Sequence, residues 1–190
     1  MIIFRKYFHN FAKYKLLGKY LFLTNTISSA ALMGIGDACQ QHFELSKKTK
    51  KSESYDWMRT LNMTAIGLPL GIAQHFFYKY MDLIIPHRTL LSVSKKIILD
   101  QLIASPVCIV IFFYGLGLLE KKNFVATQNE LKGKFFSVYM VDWIVWPPTQ
   151  YVNFAYLSPR YRVVYINFIT MLYDIFLSYI KYKDNNLQDK

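Results

Sequence analysis

Charge is scarce in this chain. Only 18% of its 190 residues are Asp, Glu, Lys or Arg, against roughly 25% in soluble domains, and the shortfall argues against an ordinary soluble surface. Cysteine is rarer still. Cys39 and Cys108 both fall in apolar runs, so no disulfide framework, CxxC metal site or redox compartment is implied. P-loop, dinucleotide-fingerprint, HExxH and GxSxG patterns are missing. That removes the common enzyme signatures: no catalytic residue, cofactor or metal site is expected, and the chain is expected not to be an enzyme. The first 20 residues hold no acid, and no long apolar core with a small-residue cleavage site follows directly, which argues against a secretory signal. The Leu-Gln-Asp-Lys ending is not an SKL-type address.

What the chain has instead is apolar length. Hydrophobic residues make up 53% of it and come as segments: Leu21 to Phe43, Trp57 to Met81, Leu102 to Leu119, Phe135 to Leu157 and Val163 to Ile180. The uncharged stretch Leu102 to Leu119 is about the minimum that crosses hydrocarbon. The expected fold is an all-α, polytopic integral membrane helix bundle of four to five hydrophobic helices. The bundle occupies residues 20–183, between a basic, aromatic N-terminal segment (1–19) and a short polar tail (184–190). The net charge of +11 lies mostly between the apolar runs, so anionic lipid headgroups explain it more cheaply than nucleic acid. Lys and Arg divide almost evenly between alternate connections, so they do not orient the chain. Arg5, Lys6, Lys13, Lys15 and Lys19 stand among aromatic residues in the acid-free N-terminus. That composition fits a mitochondrial targeting segment or a helix on the membrane surface, and the two are compatible.

The polar residues inside the apolar runs carry the functional argument. In the fourth run, Asp142, Trp146, Gln150 and Asn153 recur at four, four and three residues and share one helix face. Pro147 and Pro148 follow Trp146; they lack backbone donors and leave carbonyls one turn back unpaired. Such a break survives in lipid only where other helices, polar side chains or water take up the freed groups, which turns this face towards a bundle interior. The alternative is a kinked interfacial helix with Trp143 and Trp146 in the headgroup belt. Elsewhere, Asp37 and Gln41 close the first run, beside the small residues Ser28, Ser29, Ala30, Ala31, Gly34, Gly36 and Ala38 that favour close helix contact. Asp56 and Arg59 are spaced as a first-turn pair in the second run. His75, Tyr78, Lys79 and Asp82 form a polar face there, with His75 either a ligand or relay or a packing residue. Asp100 and Gln101 precede Pro106, which is expected to bend the third run, and Thr127 and Glu130 are spaced as a capping box. Asp174 is the single acid of the fifth run. An acid in such a run is expensive and needs a partner. Asp37, Asp100, Asp142 and Asp174 therefore either pair with cations such as Arg59, His75, Lys79 or Arg160 to lock a bundle, or line a pathway for polar solutes.

These residues resemble the family of the 22-kilodalton peroxisomal membrane protein and the mitochondrial inner-membrane Mpv-type proteins. The resemblance spans about residues 20 to 183. It is carried in order by Gly36-Asp37 with the following glutamines, Asp56 and Arg59, His75, Tyr78 and Asp82, then Lys96, Asp100-Gln101 and Pro106. The specific part is the C-terminal signature: Trp143, Trp146, Pro147, Gln150, Asn153, Phe154, Pro159 and Arg162, followed by Leu177-Ser178-Tyr179. Ile72 stands where proline is usual, and Tyr173 where tryptophan is usual. Within the family the sequence looks closest to the branch of the Mpv-type-like protein two. That resemblance implies a mitochondrial inner-membrane protein supporting mitochondrial ribosome assembly and translation, with the large ribosomal subunit as partner besides the bilayer. Other members imply a non-selective channel for small solutes in a mitochondrial or peroxisomal membrane. A homo-oligomer is a further expectation.

Overall fold

The computed structural model describes residues 21–47, 54–85, 89–156 and 159–188, with the side chains at 21, 47, 82, 153–155, 159–164 and 184–188 left aside. The N-terminal segment 1–19, Lys48, Lys50 and Lys51 of the basic loop, and the side chains of Asn153, Phe154, Pro159, Arg160, Arg162 and the 184–190 tail therefore lie outside the described residues. The described residues fold into five helices: α1 (Leu21–Lys47), α2 (Trp57–Ile84), α3 (Leu90–Leu119), α4 (Phe124–Ala155) and α5 (Pro159–Gln188). No strand occurs among the described residues. The helices are 27 to 32 residues long, about 40–48 Å at the α-helical rise. All five exceed the ~30 Å hydrocarbon thickness. By length and composition together, α3 alone among the described residues is apolar enough to cross a membrane, because the other helices carry more charged and polar side chains within their apolar runs.

Local chemistry sets the boundaries. Asp56 caps α2 by accepting the Arg59 backbone N–H at 3.0 Å, which frees the Arg59 side chain for another helix. Asn123 caps α4, its Oδ1 accepting from Ala126 N–H at 2.7 Å. The expected Thr127–Glu130 capping box is therefore displaced by one turn: Thr127 donates to the Asn123 carbonyl, and Glu130 turns to lysines. α3 ends in a tight closure in which Lys121 N–H donates to Leu118 O and Lys122 N–H to Gly117 O, with Lys121 at φ 55°.

Proline acts differently in α3 and α4. In α3 the turn Asp100–Ala104 widens into a π-turn, Ser105 N–H donating to the Asp100 carbonyl. Pro106 has no N–H to return to Gln101 or Leu102 and its ring would crowd the carbonyl one turn back. The Gln101 carbonyl is taken up instead by the Tyr139 hydroxyl of α4, at 3.2 Å. In α4, Pro147 and Pro148 sit inside a helix that continues to Ala155, so they do not divide it. Their cost, about 3 kcal/mol for a helix-interior proline, is offset by packing of α4 on both α3 and α5.

Each helix packs on its neighbour in sequence, and α5 returns to α1. The five form a closed ring. Close approach needs missing side chains: a Cβ on Gly67 of α2 would meet the Ala30 backbone of α1 at 2.5 Å, and one on Gly36 would meet Asp174 Cβ of α5 at 2.6 Å. Along its axis the ring has three layers. A polar cavity occupies one half. Met63, Ile66, Phe113, Leu116 and Val138 form a dense apolar layer in the middle. A charged layer closes the other end.

Candidate functional site

The cavity has a volume of about 200 Å³ and is lined from all five helices. The α3 π-turn and its proline bring Asp100, Ser105 and Cys108 to its wall. α4 contributes Asp142, Trp146 and Gln150, and α5 contributes Thr170, Tyr173 and Asp174. Met33, Leu70, Phe112 and Leu177 form its apolar side, towards the charged layer. Of the face that the 3.6-residue period assigns to α4, Asp142, Trp146 and Gln150 border one chamber, and the Asn153 side chain lies outside the described residues.

Asp142 is 3% exposed. Its Oδ2 accepts from the Ser105 hydroxyl, and Tyr173 and Trp146 lie within reach of the same carboxylate; Oδ1 has no hydrogen-bond partner. Trp146 and Tyr173 pack edge to face, ring centroids 5.5 Å apart. Across the cavity, the Tyr78 hydroxyl of α2 donates to Asp100 Oδ1 at 2.7 Å. Asp174 is 4% exposed with Oδ2 unpartnered. Gln101 points elsewhere: it is fully buried, with both side-chain polar atoms unpartnered, and does not border the cavity.

Asp37, Gln41 and Arg59 belong to the charged layer. Asp37 is completely buried. Its Oδ1 accepts from Arg59 Nε at 2.8 Å and from Ser178 Oγ at 2.6 Å, and its Oδ2 from Gln41 Nε2 at 2.8 Å and Thr60 Oγ1 at 2.5 Å. Arg59 also donates to both Glu44 oxygens, at 2.7 and 3.1 Å. Its guanidinium stacks 4.1 Å over the Tyr182 ring, whose hydroxyl donates to Glu120 at 2.7 Å. There a second cluster begins. Lys181, its side chain fully buried, lies 3.2 Å from Glu120 and 3.0 Å from Glu130, while Lys122 and Lys134 add pairs to Glu130 at 3.0 and 3.3 Å. Burial raises the Glu130 carboxyl, but Lys181 and Lys122 outweigh it and hold the group below its ordinary value. Burial pushes the Lys181 ammonium down against the pull of those two acids.

The acids of the chain therefore divide. Arg59 serves Asp37 and Glu44, whereas the described partners of Asp142 are hydroxyl and indole groups. His75 borders neither site: its Nδ1 lies 3.3 Å from Asn25 Nδ2, with Phe22 edge-on at 5.3 Å. Of the signature residues, Trp143 is 39% exposed against Tyr139. The residues that sequence reading left out are Ser105, Glu44, Thr60, Tyr182, Glu120 and Lys181, and Glu130, expected in a capping box, joins the last two instead. Only their flanking positions signalled them: Ser105 precedes Pro106, and Lys181 follows the Leu177-Ser178-Tyr179 motif.

Comparison with known proteins completes the picture. The Mpv17 / PMP22 family model matches residues 117–178. "PXMP2/4 family protein 4" of Dictyostelium discoideum is 34% identical over 85% of this chain and 87% of its own length. "Peroxisomal membrane protein 2" of Bos taurus is 29% identical over 86% and 85%, and "Protein SYM1" of Saccharomyces cerevisiae 25% identical over 88% and 85%. No solved structure matches the chain. With a relative above 30% identity aligned along nearly the whole of both chains, the protein belongs to the Mpv17 / PMP22 family.

Proposed function

We propose that the chain is a polytopic, non-enzymatic helical membrane protein of the mitochondrial inner membrane whose five-helix ring encloses a chamber for small polar solutes. The observation that carries the reading is an inverted distribution of polarity. Carboxylate, hydroxyl and amide groups face the cavity, while Leu23 and Ile27 of α1, Leu61 of α2, Leu102 of α3, Phe136 and Ile144 of α4 and Phe168 of α5 face outward. Exposed apolar area on every helix needs a covering, and lipid supplies it without leaving backbone groups unpaired. The family spans mitochondrial and peroxisomal membranes; the acid-free basic N-terminus favours the mitochondrion. The apolar layer around Phe113 and Leu116 closes the chamber towards the charged end, so passage across the bilayer requires that layer to part.

The test is reconstitution of the purified protein into vesicles loaded with erythritol, a small neutral solute. Release faster than from protein-free vesicles is expected. Recovery of the protein in the soluble fraction after alkaline carbonate extraction, or no release, overturns the reading. Support for mitochondrial ribosome assembly comes from the resemblance and from the net charge of +11. Salt-sensitive cosedimentation with the large mitochondrial ribosomal subunit, expected where phosphate contacts bind, tests that second reading.

A further inference from the structure

We propose that the cavity recognises a small organic ammonium compound, its charged end held at Asp142 with Asp174 of the neighbouring helix, its remainder among hydroxyl and amide groups. The inference rests on the reading of the cavity as a solute chamber and names the class of solute.

Charge balance is the argument. Asp37 is fully compensated by Arg59, Gln41, Thr60 and Ser178, and the lysines of the charged layer compensate Glu120 and Glu130. Asp142 and Asp174 are treated otherwise. They are 3% and 4% exposed, border the cavity, and each keeps one carboxylate oxygen without a hydrogen-bond partner. Among the described residues, no Lys, Arg or His lines the cavity. A buried carboxylate without a counter-charge costs several kcal/mol, a cost that a bound cation would remove.

Its walls choose the kind of cation. No group of three His, Cys, Asp or Glu suited to a metal ion occurs among the described residues. An ammonium group instead needs acceptors for three N–H donors and is attracted to aromatic faces. Asp142 Oδ1 and Asp174 Oδ2 are open acceptors, and the Trp146–Tyr173 pair stands beside Asp142. Gln74, Gln150 and Thr170 offer hydrogen bonds for a hydroxylated remainder. A volume of about 200 Å³ is roughly that of six or seven waters in the liquid, enough for an amine of a few carbons.

The probe is ethanolammonium chloride, titrated calorimetrically into the full-length protein in phosphatidylglycerol nanodiscs. Ethylene glycol (its neutral counterpart) and potassium chloride of equal ionic strength are the controls. Saturable binding of ethanolammonium above both controls is expected. Asp142→Asn and Asp174→Asn should each weaken it about ten- to a hundredfold, the loss of one charged hydrogen bond. Gln150→Glu, which adds a carboxylate to the same wall, should tighten it, so a variant that fails to fold does not leave the question undecided. Binding no stronger than that of potassium, or unchanged in both Asn variants, overturns the proposal and makes Asp142 and Asp174 protonated structural acids. Erythritol release that persists in that event leaves the solute chamber standing without its ammonium preference; loss of both removes both. In nanodiscs containing phosphatidylethanolamine, weakened binding assigns the recognised ammonium to a lipid headgroup, and unchanged binding assigns it to a free solute; either result supports ammonium recognition.

Discussion

Arg59 of α2 and Asp37 of α1 meet through a 2.8 Å hydrogen bond from guanidinium Nε to Oδ1, inside a site where Asp37 is entirely buried. Removing one partner of such a pair strands the other, at about 3–5 kcal/mol. Arg59→Ala is thus expected to lower the thermal midpoint of the purified protein sharply and to reduce its accumulation in the membrane. Asp37→Asn combined with Arg59→Gln should recover part of the loss. Wild-type accumulation and midpoint in Arg59→Ala would rule out the lock.

Gly36 and Gly133 form a matched pair of tests. A Cβ on Gly36 lands 2.6 Å from Asp174 Cβ and 2.9 Å from the Asp174 backbone carbon. Gly36→Ala must push α5 away from α1, a cost of about 1–3 kcal/mol. A Cβ on Gly133 meets nothing within 4 Å, so Gly133→Ala is expected to stabilise α4 by about 0.5–1 kcal/mol. Thermal unfolding of the two variants decides, and equal effects would contradict the packing.

Lys121 occupies the left-handed region at φ 55°, which costs a residue with a Cβ more than it costs glycine. Glycine is the usual residue at this position of such a helix closure. Lys121→Gly should raise stability by about 0.5–1 kcal/mol, the strain of a left-handed non-glycine residue less the freedom that glycine adds to the unfolded chain. A lowered midpoint would mean that the lysine side chain does more than occupy the turn.

Glu130 is faced by Lys122 from the α3–α4 connection, Lys134 from its own helix and Lys181 from α5, with Glu120 beside the last. Its carboxyl lies below the ordinary 4.5, because the lysines outweigh burial. A depressed carboxyl stabilises the fold above its unfolded pKa, and that contribution is lost as pH falls through the folded pKa. Wild-type protein should therefore lose more stability than Glu130→Gln as pH is lowered from about 5. Parallel pH profiles of the two midpoints would show that Glu130 contributes no linkage.

The apolar run lengths by themselves pointed to an all-helical fold of four to five long helices, because a segment of that length and polarity has few other ways to satisfy its backbone; that the fourth helix continues through Pro147 and Pro148 was decided by its packing. The 3.6-residue period likewise determined that Asp142, Trp146 and Gln150 stand on one face. Which acid is compensated could not be read this way. Asp37 finds Arg59 22 residues on and Ser178 141 residues on, and only the return of α5 to α1 brings these groups together. Asp142 and Asp174 look the same in sequence, each a lone acid in an apolar run, yet the ring sets them beside a cavity instead of a guanidinium. The π-turn that aims Ser105 at Asp142 depends on Pro106, which the sequence displays, and on the Tyr139 hydroxyl from another helix, which it does not. Periodicity is a property of one helix; charge compensation is a property of neighbours, and tertiary packing alone chose those.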